Sequence, residues 1–214
     1  MYRFLKSISN IVIFMLIIQI VGGCQQDLKK TDDTEYVAAI LADRKIHYLE
    51  ITDSSTSRFN EEERKMFSKK PPKYFDPDMD YKITASFEVD TSYPVFQMPT
   101  TTDRKPNYRI YGFLTFEAKD TLCRLTVYQN YDYKDHAEYG NSLFIPFKDN
   151  TSEFSTYGGG RYIDIRIPET GLVTLDFNTA YNPLCAYSER WSCPLVPMNN
   201  AIEVAIFAGE KKYK

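Results

Sequence analysis

Two stretches of this chain hold residue types that could do chemistry. The first is Gly158-Gly159-Gly160-Arg161-Tyr162. Glycines lack a Cβ and so permit unusual dihedrals and close backbone approach. Arg161 behind them offers five donors in a fixed fork, suited to a carboxylate or phosphate. The second stretch is Leu175-Asp176-Phe177-Asn178, continuing to Tyr181 and Asn182. Asp176 and Asn178 stand two apart on an extended segment, so both point to one face. Arg161, Tyr162, Asp176, Asn178, Tyr181 and Asn182 together could line a polar pocket for an anionic or polyhydroxy ligand. The plainer reading keeps them internal. Arg161 then pairs with Asp176 or Asp149, while Asn178 and Asn182 hydrogen-bond an ordered loop whose backbone groups need partners. An enzyme is the alternative use of such a pocket, with Asp176 as general base and Arg161 as electrostatic stabiliser.

The cysteines offer a second choice. Cys123 alternates with Leu125 and Val127 and reads as a buried strand residue, whereas Cys185 and Cys193 close a nine-residue loop. A disulfide there would contribute about 2–3 kcal/mol on the chain-entropy model, in a compartment that permits oxidation. Two free or buried thiols are the other reading. Zinc wants four ligands at short spacing, and a nucleophilic cysteine wants a histidine. The only histidines are His47, at the edge of a helical stripe, and His136, in a polar loop. No Gly-x-Ser-x-Gly, phosphate loop or His-Glu-x-x-His occurs. Gly158–Gly160 leads into a strand rather than the helix that would present its dipole to a phosphate. No metal or cofactor is expected. A net charge of −3 without a block of like charges gives nucleic acid nothing to hold.

The N-terminal segment reads as an address. Arg3 and Lys6 form a basic head, and Ile11 to Val21 is an 11-residue apolar run broken only by Gln19. A spanning helix needs about 20 such residues, so the pattern is that of an export signal. Val21-Gly22-Gly23-Cys24 resembles the lipobox of bacterial lipoproteins, in which the cysteine thiol takes up a diacylglyceryl group. Multiple acyl chains anchor stably, at about 0.8 kcal/mol per buried CH₂. Gln25 after the cysteine, by analogy with lipoprotein sorting, favours the outer membrane, on its periplasmic face or its surface. The expected organisation is a lipoprotein signal peptide at 1–23, a tether at 24–35 beginning with lipidated Cys24, and one β-rich domain at 36–214. The expected partners are the membrane, through the lipid, and a small polar ligand or an envelope protein.

The elements that must position these residues follow from period and punctuation. With 214 residues, 43% apolar and 26% charged, the chain can bury one real core. A helix is predicted from Glu35 to about Tyr48, and a second at Asn60–Phe67, where Asn60 can cap and Met66 and Phe67 face inward before Pro71-Pro72. Strands are predicted at Tyr81–Val89, Val95–Thr101, Tyr108–Glu117, Leu122–Gln129, Ser142–Phe147, Tyr162–Ile167, Leu172–Phe177 and Ile202–Phe207. Ile110, Gly112, Leu114 and Phe116 should share one face. Ile163, Ile165 and Ile167 should oppose Tyr162, Asp164 and Arg166. Ala118-Lys119-Asp120-Thr121 and Pro168-Glu169-Thr170-Gly171 read as hairpin turns. The architecture expected is mainly β: a single antiparallel β-barrel or curled β-sandwich of about eight strands with short N-terminal helices. Leu175 to Asn200 interrupts the alternation, and its Tyr181, Leu184, Tyr187, Trp191 and Leu195 are too apolar for disorder. A loop that long is usually functional.

From about Asp43 to Tyr213 the chain resembles the uncharacterised bacterial and archaeal family known as domain of unknown function 1684. The residues carrying the resemblance are Tyr111–Phe116, Leu143–Asp149, Thr156–Tyr162, Leu175–Asn178, Tyr181-Asn182-Pro183, Cys185-Ala186-Tyr187, Cys193-Pro194 and Ala208–Lys211. The family pattern has Glu-Asn after a run of prolines, where this chain has Met198-Asn199-Asn200. The resemblance implies the domain boundaries and no activity.

Overall fold

The computed structural model describes residues 33–214. The signal peptide expected at 1–23, Cys24 and the tether as far as residue 32 lie outside the described residues. The chain divides into two compact units, one ending at Asp43 and one running from Arg44 to Lys214. The described part of the first, residues 33–43, is helical throughout, including residues 33–35 that the sequence assigns to the tether. Among the described residues no helix is long and apolar enough to cross a membrane.

The second unit opens with helical residues 44–52 (α1) and then α2 (Glu61–Lys69). Asn60 caps α2 as its type and position predict. Its side chain accepts from the Glu63 amide at 2.9 Å, and the Glu63 carboxylate accepts from the Asn60 amide at 2.8 Å, a reciprocal capping box. Phe67 turns inward and is buried.

Seven strands follow: β1 (Lys82–Val89), β2 (Phe96–Gln97), β3 (Asn107–Ala118), β4 (Thr121–Asn130), β5 (Ser142–Phe147), β6 (Arg161–Arg166) and β7 (Leu172–Asp176). They form one antiparallel sheet in the order β6-β5-β4-β3-β1-β7, with β2 added to β3. The fold is therefore mainly antiparallel β, a curled half-barrel with the helices on its N-terminal side. Leu114, Phe116, Leu125, Val127, Leu143, Ile145, Ile163 and Leu175 pack one face of the sheet into the main core. Each such side chain contributes roughly 1.5–3 kcal/mol on burial.

Four departures from the strand pattern matter for function. First, Lys119 and Asp120 adopt left-handed φ of 48° and 60°, so β3 and β4 make the tight hairpin that was predicted. Pro168–Gly171 does not make one. β6 pairs only with β5 and β7 only with β1, so this short turn links the two ends of the sheet order. Curling brings those ends together: Tyr162 and Tyr181 exchange backbone hydrogen bonds at 2.9 and 3.0 Å across the seam.

Second, the predicted strand at Val95–Thr101 shrinks to Phe96-Gln97. Pro94 and Pro99 bracket it and have no amide to give a ladder. Third, Ile202–Phe207 keeps the alternation of a strand, with Ile202, Val204 and Ile206 buried, yet joins no ladder. Fourth, the β3–β4 register slips at Tyr111, where Ile110 pairs with Tyr128 but Gly112 with Val127. This bulge carries Ile110 and Tyr108 to the face opposite Gly112, Leu114 and Phe116, which corrects the predicted shared face. They instead join Met98 and Tyr128 in a separate aromatic cluster.

Candidate functional site

A cleft of about 840 Å³ opens over the face of β5 and β6 turned away from the main core. Period two decides its floor. Tyr162, Asp164 and Arg166 project from β6, and Phe144 and Ser142, paired to Asp164 and Arg166, project from β5. The bulge in β3 adds Tyr108, and its pairing partner Asn130 comes with it. Chain from beyond the sheet supplies the walls: His47 of α1, Arg58-Phe59 before α2, and the segments around Tyr181–Leu184 and Ser192–Pro194.

The wall segment is ordered by its own contacts. The Arg190 guanidinium grips the Glu63 carboxylate (Nε to Oε1 and Nη2 to Oε2, both 2.8 Å) and reaches the Arg58 carbonyl at 2.8 Å. Those hydrogen bonds hold the Glu63 carboxyl down at about 2. Trp191 packs edge-on to Phe59 with centroids 5.9 Å apart, and Tyr187 lies against Phe59, Phe67 and Tyr213. The expected structureless stretch from Leu175 to Asn200 thus contains three single-turn helices, Phe177–Thr179, Leu184–Ala186 and Met198–Asn200, pinned by bridges from Tyr181 to Tyr162 and from Pro194 to Thr100.

Inside the cleft the polar groups are partly committed. Tyr181 donates its hydroxyl to Asp164 Oδ2 at 2.6 Å, and Tyr162 donates to the Pro194 carbonyl. Tyr108 accepts from Asn130 Nδ2 at 3.5 Å and keeps its own proton to give. The Arg166 guanidinium is aimed by the Glu138 carbonyl at 2.8 Å and the Ser142 hydroxyl at 3.2 Å.

Asp164 is reachable from solvent through the cleft mouth yet walled by protein on most sides. That crowding raises its carboxyl above the usual range, against the opposing pull of the Tyr181 hydroxyl and Arg166. Burial likewise pushes Tyr108 up to about 12 and raises Tyr162 and Tyr181, so the phenols remain protonated donors. His47, lowered by burial, stays neutral at pH 7. Among the described residues no cluster of His, Cys, Asp and Glu could hold a metal ion.

The six residues singled out by sequence part company here. Tyr162, Tyr181 and Asn182 line the cleft. Arg161, Asp176 and Asn178 do not, and follow the plainer reading. Arg161 is sealed in the interior, donating to Asp149 at 2.7 Å, to the Ile206 carbonyl at 3.0 Å and to the Ala208 carbonyl. Asp176 caps the turn after β7 by accepting from the Asn178 amide at 2.9 Å. Asn178 clamps the backbone of Asp78 from both sides, at 2.9 and 2.8 Å. The pocket pairing Asp176 with Arg161 is therefore not assembled. Asp164, Arg166, Tyr108 and Asn130 were missed. Alternation did place Asp164 and Arg166 beside Tyr162, a usable signal, but nothing local marks the bulge that turns Tyr108.

Behind the cleft wall Asn182 also joins a buried polar spine. Glu210 accepts from the Asn182 amide at 2.9 Å and from the Tyr187 hydroxyl, while Asn182 Nδ2 donates to the Lys211 carbonyl at 2.9 Å. A family model described as "Protein of unknown function (DUF1684)" matches residues 70–211, the span of this spine and of the whole sheet. The chain belongs to the DUF1684 family. A similar solved structure is the solution NMR structure of an uncharacterized protein of Haloarcula marismortui. It is 33% identical, with a TM-score of 0.63, over 85% of this chain and 96% of that one. No protein of curated function matches. The residues by which the chain resembles DUF1684 proteins thus include Arg161, Asn182 and Glu210, whose work is inside the fold.

Proposed function

We propose that this DUF1684 protein is a lipid-anchored envelope module whose cleft binds a small polyhydroxy ligand. Support for the anchor comes from Arg3, Lys6, the Ile11–Val21 run and the Val21-Gly22-Gly23-Cys24 box. What carries the ligand reading is the composition of the cleft: aromatic walls from Tyr108, Phe144, Tyr162 and Tyr181 around a single strand-borne carboxyl, Asp164, with Arg166 and Asn130 beside it. Aromatic rings suit the apolar faces of a sugar-like ring, and protonated phenols with a carboxyl and an amide match a fringe of hydroxyls. The Asp164 carboxyl, which accepts from Tyr181, supplies an acceptor for ligand hydroxyls, and Arg166 and Asn130 supply donors.

The test is calorimetry of the full chain in detergent against a panel of monosaccharides and disaccharides. At least one should bind, and Tyr108→Ala and Asp164→Asn should each weaken it tenfold or more without changing the far-UV spectrum. Lack of binding across the panel, or wild-type affinity in both variants, would overturn the reading. An enzyme reading remains with Asp164 in place of Asp176 as the proton carrier, because its raised carboxyl sits in a cleft. Turnover of a bound sugar that Asp164→Asn abolishes would favour it over simple binding.

A further inference from the structure

We propose that Cys185 and Cys193 are a reversible dithiol–disulfide couple, oxidised by thiol–disulfide exchange, whose closure staples the wall of the cleft. The inference stands whether or not the cleft takes a polyhydroxy ligand. Its basis is where the two sulfurs are held. Cys193 is fixed by antiparallel contacts to a neighbouring segment: its carbonyl accepts from the Thr101 amide at 2.9 Å and its amide donates to the Thr101 hydroxyl at 3.1 Å. Cys185 lies in the turn Leu184–Ala186, and its amide donates to Cys193 Sγ at 3.1 Å, so the chain has already brought the two residues together as thiols. The loop between them is independently ordered by Arg190 on Glu63 and Trp191 on Phe59. A fold that holds its loop without the bond does not need the bond to fold, and such a bond is free to open and close.

The two thiols are not equivalent. Cys185 is half-buried and Cys193 buried. The Cys193 thiol and the Tyr157 hydroxyl, 4.0 Å away, donate towards the Cys185 sulfur and lower it to about 7, while the Cys193 thiol is pushed up. The more exposed sulfur is therefore the one with thiolate at neutral pH, as an attacking thiol requires. The Cys185 thiolate attacks one sulfur of an incoming disulfide, whose S–S bond breaks and whose first half leaves as a thiolate and takes up a proton. Cys193 then gives up its proton and attacks Cys185 Sγ, expelling the second half as a thiol. Two protein thiols are oxidised by two electrons, and the incoming disulfide is reduced to two thiols. Because Cys193 and Asn182–Leu184 face the cleft, the new bond ties together both ends of its wall.

The experiment equilibrates the full chain in detergent with buffers of varied glutathione to glutathione disulfide ratio, followed by acid quench, alkylation and peptide mapping. Trp191, the only tryptophan and placed inside the loop, reports closure by its emission. The expected result is that Cys185 and Cys193 lose alkylation together over a defined range of ratio, appear in one cross-linked peptide, and shift Trp191 emission in step. Reduction should reverse all three, and Cys123 should not take part. Cys193→Ser should trap glutathione on Cys185, whereas Cys185→Ser should leave Cys193 unmodified. Thiols that persist in the most oxidising buffer, glutathione stably held on wild-type Cys185, or a bond that resists reduction in the folded chain would each overturn the proposal.

Discussion

Arg161 and Asp149 meet at 2.7 Å with both side chains sealed from solvent. The pair does more than neutralise charge. Through the Ile206 and Ala208 carbonyls, the guanidinium satisfies the end of a segment that alternates like a strand but makes backbone hydrogen bonds to the chain after β5 only as far as Val204. Asp149 in turn accepts from the Thr151 amide at 2.6 Å. Gly160 makes the approach possible: its φ of +91° is left-handed, and a Cβ there would lie 2.6 Å from the Phe147 carbonyl oxygen.

Removing one member of such a pair leaves a buried charge with no counterpart. Arg161→Ala should destabilise the fold by about 3–5 kcal/mol, read from urea or thermal unfolding. Arg161→Lys should recover only part of this, since an ammonium cannot reproduce the fork. A wild-type unfolding midpoint for Arg161→Ala would contradict the structural role given to this residue.

Glu210 gives the fold a pH dependence of definite sign. Burial raises its carboxyl from the ordinary 4.5 to about 7, so the folded chain keeps it protonated at pH values where the unfolded chain has already ionised it. Its contribution is complete below the unfolded value and is lost as pH rises through the folded one. Stability should therefore decline between about pH 4.5 and pH 8, by roughly 3 kcal/mol from this group. Glu210→Gln should flatten that decline in denaturant titrations across this window; an equal slope in both proteins would rule Glu210 out.

Asn200 fills a gap in the sheet. β5 contains Pro146, which has no amide, and β4 and β5 pair only at Tyr128 and Phe144. Asn200 Oδ1 accepts from the Thr126 amide at 2.8 Å, and Nδ2 donates to the Thr126 and Pro146 carbonyls at 2.9 and 2.7 Å. Asn200→Leu strands three buried backbone groups and should cost about 2–4 kcal/mol in equilibrium unfolding. Met198→Ala, at the fully exposed first residue of the same turn, is the control and should change little.

The anchor has its own test. In cells, the wild-type chain should fractionate with membranes and incorporate labelled fatty acid. Cys24→Ser should lose the label and leave the membrane fraction. Label retained in that variant would place the lipid elsewhere or dismiss the anchor.

What the sequence determined by itself is what neighbours in the chain decide. The Asn60 cap, the Lys119-Asp120 turn and the alternation of β4 to β7, and of β3 beyond its bulge, rest on hydrogen bonds and side-chain directions set within a few residues, and these are legible. Even half of the cleft was on the page, since period two puts Tyr162, Asp164 and Arg166 on one face. Tertiary structure decided the rest because it concerns partners far apart in sequence. The slip at Tyr111 turns Tyr108 into the cleft, the curl of the sheet separates β6 from β7 in pairing while joining Tyr162 to Tyr181, and Arg161 reaches carbonyls 45 and 47 residues away. A long, forked or hydrogen-bonding side chain takes whichever partner the folded backbone presents, and its type alone says only that it must have one.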